Sequence, residues 1–238
     1  MITKKHIPNA LTFMALLAGQ GALYCALASQ WKAALFFLIA AAAFDKLDGA
    51  AAKFLKCESI LGAKFDSLAD AVNFGIIPPV ILYCWQLKNG GVFAILACLV
   101  YSSCALWRLI VYTKARLSEN KGPGFPGYFS GVPTPAGAFL ALLPLLIYLN
   151  FSEMAPTVID LTPAWLVIVG VLMVSGLPAF ALVERRAMKP YRKYFIILAI
   201  VVAVLLIIKT VDTLIVIDVG YLLSMPICYV LCHRKQTP

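Results

Sequence analysis

The sequence predicts an all-α fold, a polytopic membrane bundle of about eight transmembrane helices with both termini in the cytoplasm. Three observations carry this expectation. Hydrophobic residues make up 62% of the 238 residues and charged residues 13%, with a mean hydropathy of +0.90, far from the balance of a soluble domain. Apolar runs of bilayer-spanning length recur along the whole chain, separated by short polar or Gly/Pro-bearing breaks. The basic residues, finally, gather at alternate breaks.

Taken in order, the runs cover about Ile7 to Ala28, Trp31 to Phe54, Phe65 to Leu87, Gly91 to Tyr112, Thr134 to Phe151, Pro163 to Val183, Tyr194 to Ile208 and Leu214 to Leu231. The first run has a basic start and an A-x-A at Ala26 to Ala28, which also suits a cleaved signal peptide. It is kept as a span because the later runs pair only if it stays. With the N-terminus inside, seventeen basic residues fall at the cytoplasmic face: Lys4, Lys5, Lys46, Lys53, Lys56, Lys64, Arg108, Lys114, Arg116, Lys121, Arg185, Arg186, Lys189, Arg192, Lys193, Arg234 and Lys235. Three, Lys32, Lys88 and Lys209, fall outside, and reversing the topology would invert this bias. The net charge of +9 is then a basic cytoplasmic face suited to anionic lipid headgroups and is no argument for nucleic acid. The basic stretch ERRAMKPYRK (184 to 193) reads as part of that face, and the Gly/Pro-rich stretch 113 to 135 as a cytoplasmic loop. The seven cysteines lack metal-ligand spacing and read as small apolar fillers. Trp31, Trp85, Trp165, Tyr112 and Tyr128 lie near predicted span ends and read as interfacial anchors, whereas Asp218, inside the last run, has no assignable role.

One stretch departs from the pattern. The second run carries Asp45 and Asp48 and the start of the third carries Asp66 and Asp70, four aspartates within 26 residues. The i,i+3 pair lies within about 60° on one helical face and the i,i+4 pair within about 40° on another. A short connection makes the two helices antiparallel neighbours, so the four carboxylates can converge. Four negative charges at that depth must be paired, protonated or bound to metal, and Lys46, Lys53 and Lys64 are too few and too flexible to pair them all. Hard oxygen donors of this kind suit Mg2+ or Mn2+, and a two-metal site is expected. Gly49, Ala52 and Gly62, in register with the carboxylates, let a phosphate or another helix approach the backbone closely. Intramembrane carboxylates alone would also permit a cation transporter, but that reading does not require the small residues in that register.

The full spacing is D-x2-D-G-x2-A-K-x8-G-x3-D-x3-D from Asp45 to Asp70, which resembles the signature of the CDP-alcohol phosphotransferase family with Lys53 where that family carries Arg. IPNALT (7 to 12) resembles the start of the family's first helix, and DSLADAVNFGIIPP (66 to 79) and GVPTPAG (131 to 137) resemble its phosphatidylserine synthase branch. The resemblance implies a single membrane domain over 1 to 238, with a six-helix core at about 7 to 185 and two additional helices at about 190 to 232. It implies transfer of a phosphatidyl group from CDP-diacylglycerol to serine with release of CMP, the alternatives being glycerol 3-phosphate, inositol phosphate or choline as acceptor. It assigns Asp45, Asp48, Asp66 and Asp70 to the metals, with Asp70 also the proton acceptor. Gly49, Lys53 and Ser59 would contact the cytidine diphosphate, Asn9, Thr12, Ala52 and Gly62 would line its site, and the protein would be a homodimer in the cytoplasmic (inner) membrane. For the acceptor, Arg108 resembles the Arg of an Arg-Leu pair in that branch and would meet the serine carboxylate, the alternative being an arginine that snorkels to the interface; Asn73 would add polar contacts or else make a helix-packing hydrogen bond. At Lys53 the charge is kept, but the two-pronged grip of a guanidinium on phosphate is not.

Overall fold

A computed structural model of the chain describes residues 6–57, 59–117, 128–151, 153, 155–180 and 192–234. Lys4, Lys5, Lys121, Arg185, Arg186, Lys189, Lys235 and residues 118–127 of the 113 to 135 loop therefore lie outside the described residues. The described elements are α1 (His6–Leu27), α2 (Trp31–Phe54), α3 (Ile60–Asp70), a π-helical segment (Ala71–Ile76), α4 (Ile77–Trp85), α5 (Gly91–Leu117), β1 (Tyr128–Ser130), α6 (Thr134–Asn150), α7 (Ala155–Val174), β2 (Pro178–Phe180), α8 (Arg192–Ile208) and α9 (Thr210–Arg234). Each of the eight expected apolar runs contains a helix, the third being the continuous rod α3–π–α4. Among the described residues four helices, His6–Leu27, Ile60–Trp85, Gly91–Ala115 and Thr210–Val230, are long and apolar enough to cross a bilayer, and Thr134–Asn150 and Val158–Val174 are shorter apolar helices. The chain is a multi-pass membrane protein.

Two details differ from the expected pattern. The sixth run is helical over Ala155–Val174 rather than Pro163 to Val183, because Pro163 lies within the helix instead of starting it. Beyond it, Pro178–Phe180 pairs antiparallel with Tyr128–Ser130, with Phe129 opposite Ala179. This small ribbon joins the segment before α6 to the segment after α7.

Packing follows the distribution of small residues. Ala15, Ala18, Ala22 and Ala26 of α1 and Ala34, Leu35, Leu38 and Ala41 of α2 are buried, and these two helices make the most extensive helix pair. α5 packs on α7 at Gly170, where a β-carbon would sit 3.1 Å from the Tyr101 Cα. Large apolar side chains such as Phe93, Leu99, Ile207 and Val216 point outward, as lipid-facing residues do.

Pro78, Pro79 and Pro144 interrupt buried helices, and each freed carbonyl is taken by a side chain of a neighbouring helix. In α register the carbonyls of Phe74 and Gly75 would bond to the amides of residues 78 and 79, but both are proline. The Tyr101 hydroxyl donates to the Phe74 carbonyl and Ser102 Oγ to that of Gly75, both at 2.9 Å. In α6, Pro144 leaves the Leu140 carbonyl free, and Trp165 Nε1 donates to it at 2.7 Å. A membrane interior offers no water for such groups, so these donors are what allow the helices to carry proline there. They also revise the reading of the aromatics. Trp165 bonds a helix backbone, while Trp85 is buried with its ring centroid 5.2 Å from that of Tyr148, so neither acts as an interfacial anchor.

Candidate active site

The aspartate-bearing helices meet through a third. α1 packs against both α2 and α3, which turns the expected two-helix contact into a three-helix arrangement around the start of α1. Within it one carboxylate oxygen each from Asp45, Asp48 and Asp66 lie within 4.8 Å of one another. Asp48 is buried, and Thr12 Oγ1 of α1 donates to its Oδ2. Thr12 thereby fixes the orientation of the least accessible carboxylate of the three. Three acceptor-only groups at this spacing repel each other unless a cation lies among them, and the all-oxygen donor set fits a hard divalent ion. The cluster is a candidate divalent-metal site by this criterion.

Asp70, one turn beyond Asp66, stands beside this triad. It faces Asp45 and Asp66, with Lys46 as the nearby positive charge, and its Oδ1 is buried without a hydrogen-bond partner.

An open cleft adjoins the aspartate cluster. Its wall contains Asn9 and Thr12 of α1, Asp48, Gly49 and Ala52 of α2, and Ser59, Gly62 and Asp66 around α3, together with Pro8, Cys57 and Ala63. A β-carbon on Gly49 would meet nothing within 4 Å, so the space over this glycine is the cleft itself. Ser59 is the N-cap of α3: its backbone is extended and its Oγ accepts from the Gly62 amide at 3.0 Å. That bond holds the start of the helix against the cleft. Lys53, in the last turn of α2, has an exposed side chain that is not part of the cleft wall.

Arg108 and Asn73 are both buried and lie away from the cleft. Asn73 Nδ2 donates to the Ala15 carbonyl at 3.1 Å, and a β-carbon on Gly19 would collide with its Oδ1, so it ties the π segment to α1. Arg108 Nη1 donates to Thr134 Oγ1 at 3.1 Å, and its guanidinium lies over the Tyr112 ring at 4.3 Å. Thr134 belongs to GVPTPAG, and the structure gives a reason for three of its residues. Gly131 has φ +73 with the carbonyls of Met173 and Ser175 pressed against it, Pro133 is the N-cap of α6, and Thr134 presents its hydroxyl to Arg108. The partners Thr12–Asp48 and Arg108–Thr134 join residues 36 and 26 positions apart, which no local spacing reveals.

Comparison with known proteins agrees with this arrangement. Proteins named CDP-diacylglycerol--serine O-phosphatidyltransferase resemble the chain: that of Mycobacterium bovis is 37% identical over 173 residues, covering 72% of this chain and 60% of the relative. That of Helicobacter pylori strain 26695 is 29% identical over 170 residues, 71% of this chain and 70% of the relative, and that of Bacillus subtilis 32% over 139 residues, 58% and 75%. The chain thus matches about 60% of the length of its mycobacterial relatives. Residues 5–159, which contain the metal cluster, the cleft wall and Arg108, match the family described as CDP-alcohol phosphatidyltransferase, and the chain belongs to that family.

Proposed function

We propose that this protein transfers the phosphatidyl group of CDP-diacylglycerol to the hydroxyl of L-serine, giving phosphatidylserine and CMP. The observation that carries the reading is the convergence of Asp45, Asp48 and Asp66 at the edge of a cleft floored by Gly49, Ala52 and Gly62. Carboxylates collect the cations, and the small residues leave room for a diphosphate against the backbone. The names of the similar proteins support serine as the acceptor.

The residues divide the work. Asp45, Asp48 and Asp66 hold the divalent ions, Mg2+ or Mn2+ and two in number, with Thr12 orienting Asp48. Bound there, such ions neutralise the pyrophosphate and stabilise the departing CMP. Asn9, Ser59 and the glycines border the nucleotide, and the ammonium of Lys53 reaches the diphosphate from the rim. An alcohol is barely ionised at neutral pH, so a carboxylate must accept its proton as the new bond forms. Asp70 is placed for this, beside the triad with a free buried oxygen, and it serves as a further metal ligand when the site is filled. Arg108 receives the serine carboxylate, and Asn73 keeps the π segment against α1. The site opens to the cytoplasm, where the basic face lies, in the cytoplasmic membrane, and the protein works as a homodimer.

The test is incubation of the detergent-purified protein with CDP-diacylglycerol, Mn2+ or Mg2+, and serine, glycerol 3-phosphate, inositol phosphate or choline, with lipid product and CMP identified by mass spectrometry. Phosphatidylserine from serine alone, lost in Asp70→Asn, is the expected result. Release of CMP with a different acceptor overturns the serine assignment, and absence of metal-dependent turnover overturns the reaction.

A further inference from the structure

A second group of polar atoms without partners surrounds Arg108 and reaches back to Asp70 beside the aspartate triad. Arg108 of α5 is 7% exposed, and the groups its guanidinium meets, Thr134 Oγ1 and the Tyr112 ring, are both neutral. Its Nε is buried with no hydrogen-bond partner. On α9 the hydroxyl of Tyr221 is likewise buried and unpartnered, and Tyr221 is one of the ionisable groups facing Arg108. Asp70 lies in the wider surroundings of Arg108, and its Oδ1 is the third orphaned atom. α5, α9 and α3 thus each bring one unsatisfied polar atom to the surroundings of one guanidinium.

A buried guanidinium whose direct contacts are all neutral calls for an anion that brings its own acceptors. A carboxylate supplies two oxygens, one for the Arg108 Nε–H and one for the Tyr221 O–H. In an amino-acid alcohol such as serine the hydroxyl stands a few bonds from the carboxylate, which sets it toward Asp70 when the carboxylate is held at Arg108. Resting on the serine reading above, we infer that Tyr221 is a specificity-determining residue: its hydroxyl, with Arg108 Nε, holds the acceptor carboxylate. Tyr221 lies outside residues 5–159, so the likeness to the family does not reach it. The selection of the acceptor is then shared between the common core and the last helix.

Tyr221→Phe removes only the hydroxyl. In the full-length protein in detergent, KM for serine is expected to rise about tenfold or more, the loss that follows from deleting a hydrogen bond to a charged group, while KM for CDP-diacylglycerol stays unchanged. In competition between serine and ethanolamine, which lacks the carboxylate, preference for serine is expected to fall by a similar factor. As a second readout, saturating serine raises the thermal unfolding midpoint of the wild type more than that of Tyr221→Phe. An unchanged KM for serine, or an equal loss with serine and ethanolamine, overturns the role of Tyr221 and leaves the serine reading standing. A wild type that makes no phosphatidylserine overturns both, and the two failures are told apart by the wild-type control.

Discussion

Replacing Tyr101 with Phe deletes one hydroxyl and is expected to destabilise the protein by about 1 kcal/mol, a loss that should largely vanish when Pro78 is replaced by alanine. Tyr101 is fully buried, so water cannot substitute for the lost donor, and Phe keeps the ring, so no cavity opens. What is lost is the bond at 2.9 Å to the Phe74 carbonyl. That carbonyl has no backbone alternative: its donor in α register is residue 78 and in the wider π register residue 79, and both are proline. Leaving a buried carbonyl unsatisfied costs about 1–3 kcal/mol in general. Hydrogen bonds between membrane helices average about 0.6 kcal/mol and reach about 1.7. The two ranges overlap near 1 kcal/mol. The measurement is a double-mutant cycle of Tyr101→Phe and Pro78→Ala, read by reversible unfolding in mixed detergent micelles. If the hydroxyl compensates for the proline, the alanine introduced by Pro78→Ala supplies the missing amide and the Tyr101→Phe loss shrinks. An equal loss in both backgrounds, or none in either, refutes the compensation argument.

Three further outcomes test the site. Thr12→Val removes the donor to Asp48 and should weaken apparent Mg2+ or Mn2+ affinity about 10- to 100-fold, as loss of a group orienting a metal ligand does, measured as the metal concentration giving half-maximal CMP release. Gly49→Ala adds a methyl group that touches nothing within 4 Å, so the unfolding midpoint should hold while KM for CDP-diacylglycerol rises; a lower midpoint with normal KM would make Gly49 a packing residue. Lys53→Ala should raise KM for CDP-diacylglycerol and Lys53→Arg should not, because a cation at the rim is what the diphosphate needs; a normal KM in Lys53→Ala removes this residue from the site.

What was legible in the sequence was whatever a local period or spacing encodes. Apolar runs of span length located the helices, and the i,i+3 and i,i+4 aspartates announced a convergence that the structure realises for Asp45, Asp48 and Asp66. Relations between distant segments were not legible. That α1 stands between the two aspartate-bearing helices follows from its row of buried alanines meeting those of α2, which reads equally well as generic membrane packing. The hydroxyl of Thr12 marks it as polar but not as the partner of Asp48. Trp165 and Trp85 sit near the ends of the predicted runs, where tryptophan ordinarily marks an interface, and only the carbonyl freed by Pro144 and the ring of Tyr148 show why they turn inward. Pro163 read as a boundary because proline breaks helices in water, where freed carbonyls have solvent to bond. In a bilayer the helix continues through it.

The π segment explains why one rod can serve two surroundings. At about 100° per residue, a continuous α-helix would set Phe74, Ile77 and Ile81 on the same face as Asp66 and Asp70. The carboxylates would then point toward the fully buried apolar core that these three residues help to form. The wider turn over Ala71–Ile76 takes up about one extra residue, so everything after it is rotated by roughly 100° relative to the aspartates. Asp66 can then face Asp45 and Asp48 while Ile77 and Ile81 face the core. The prolines at 78 and 79 remove the amides that would close the α-helical turns there, and the hydroxyls of Tyr101 and Ser102 hold the exposed carbonyls in the widened geometry. Asn73, within the segment, anchors it to Ala15 of α1, the helix that also carries Thr12. The irregular turn and the orientation of the metal cluster therefore rest on the same helices, and a change that straightens the rod must disturb the carboxylates before it disturbs the fold.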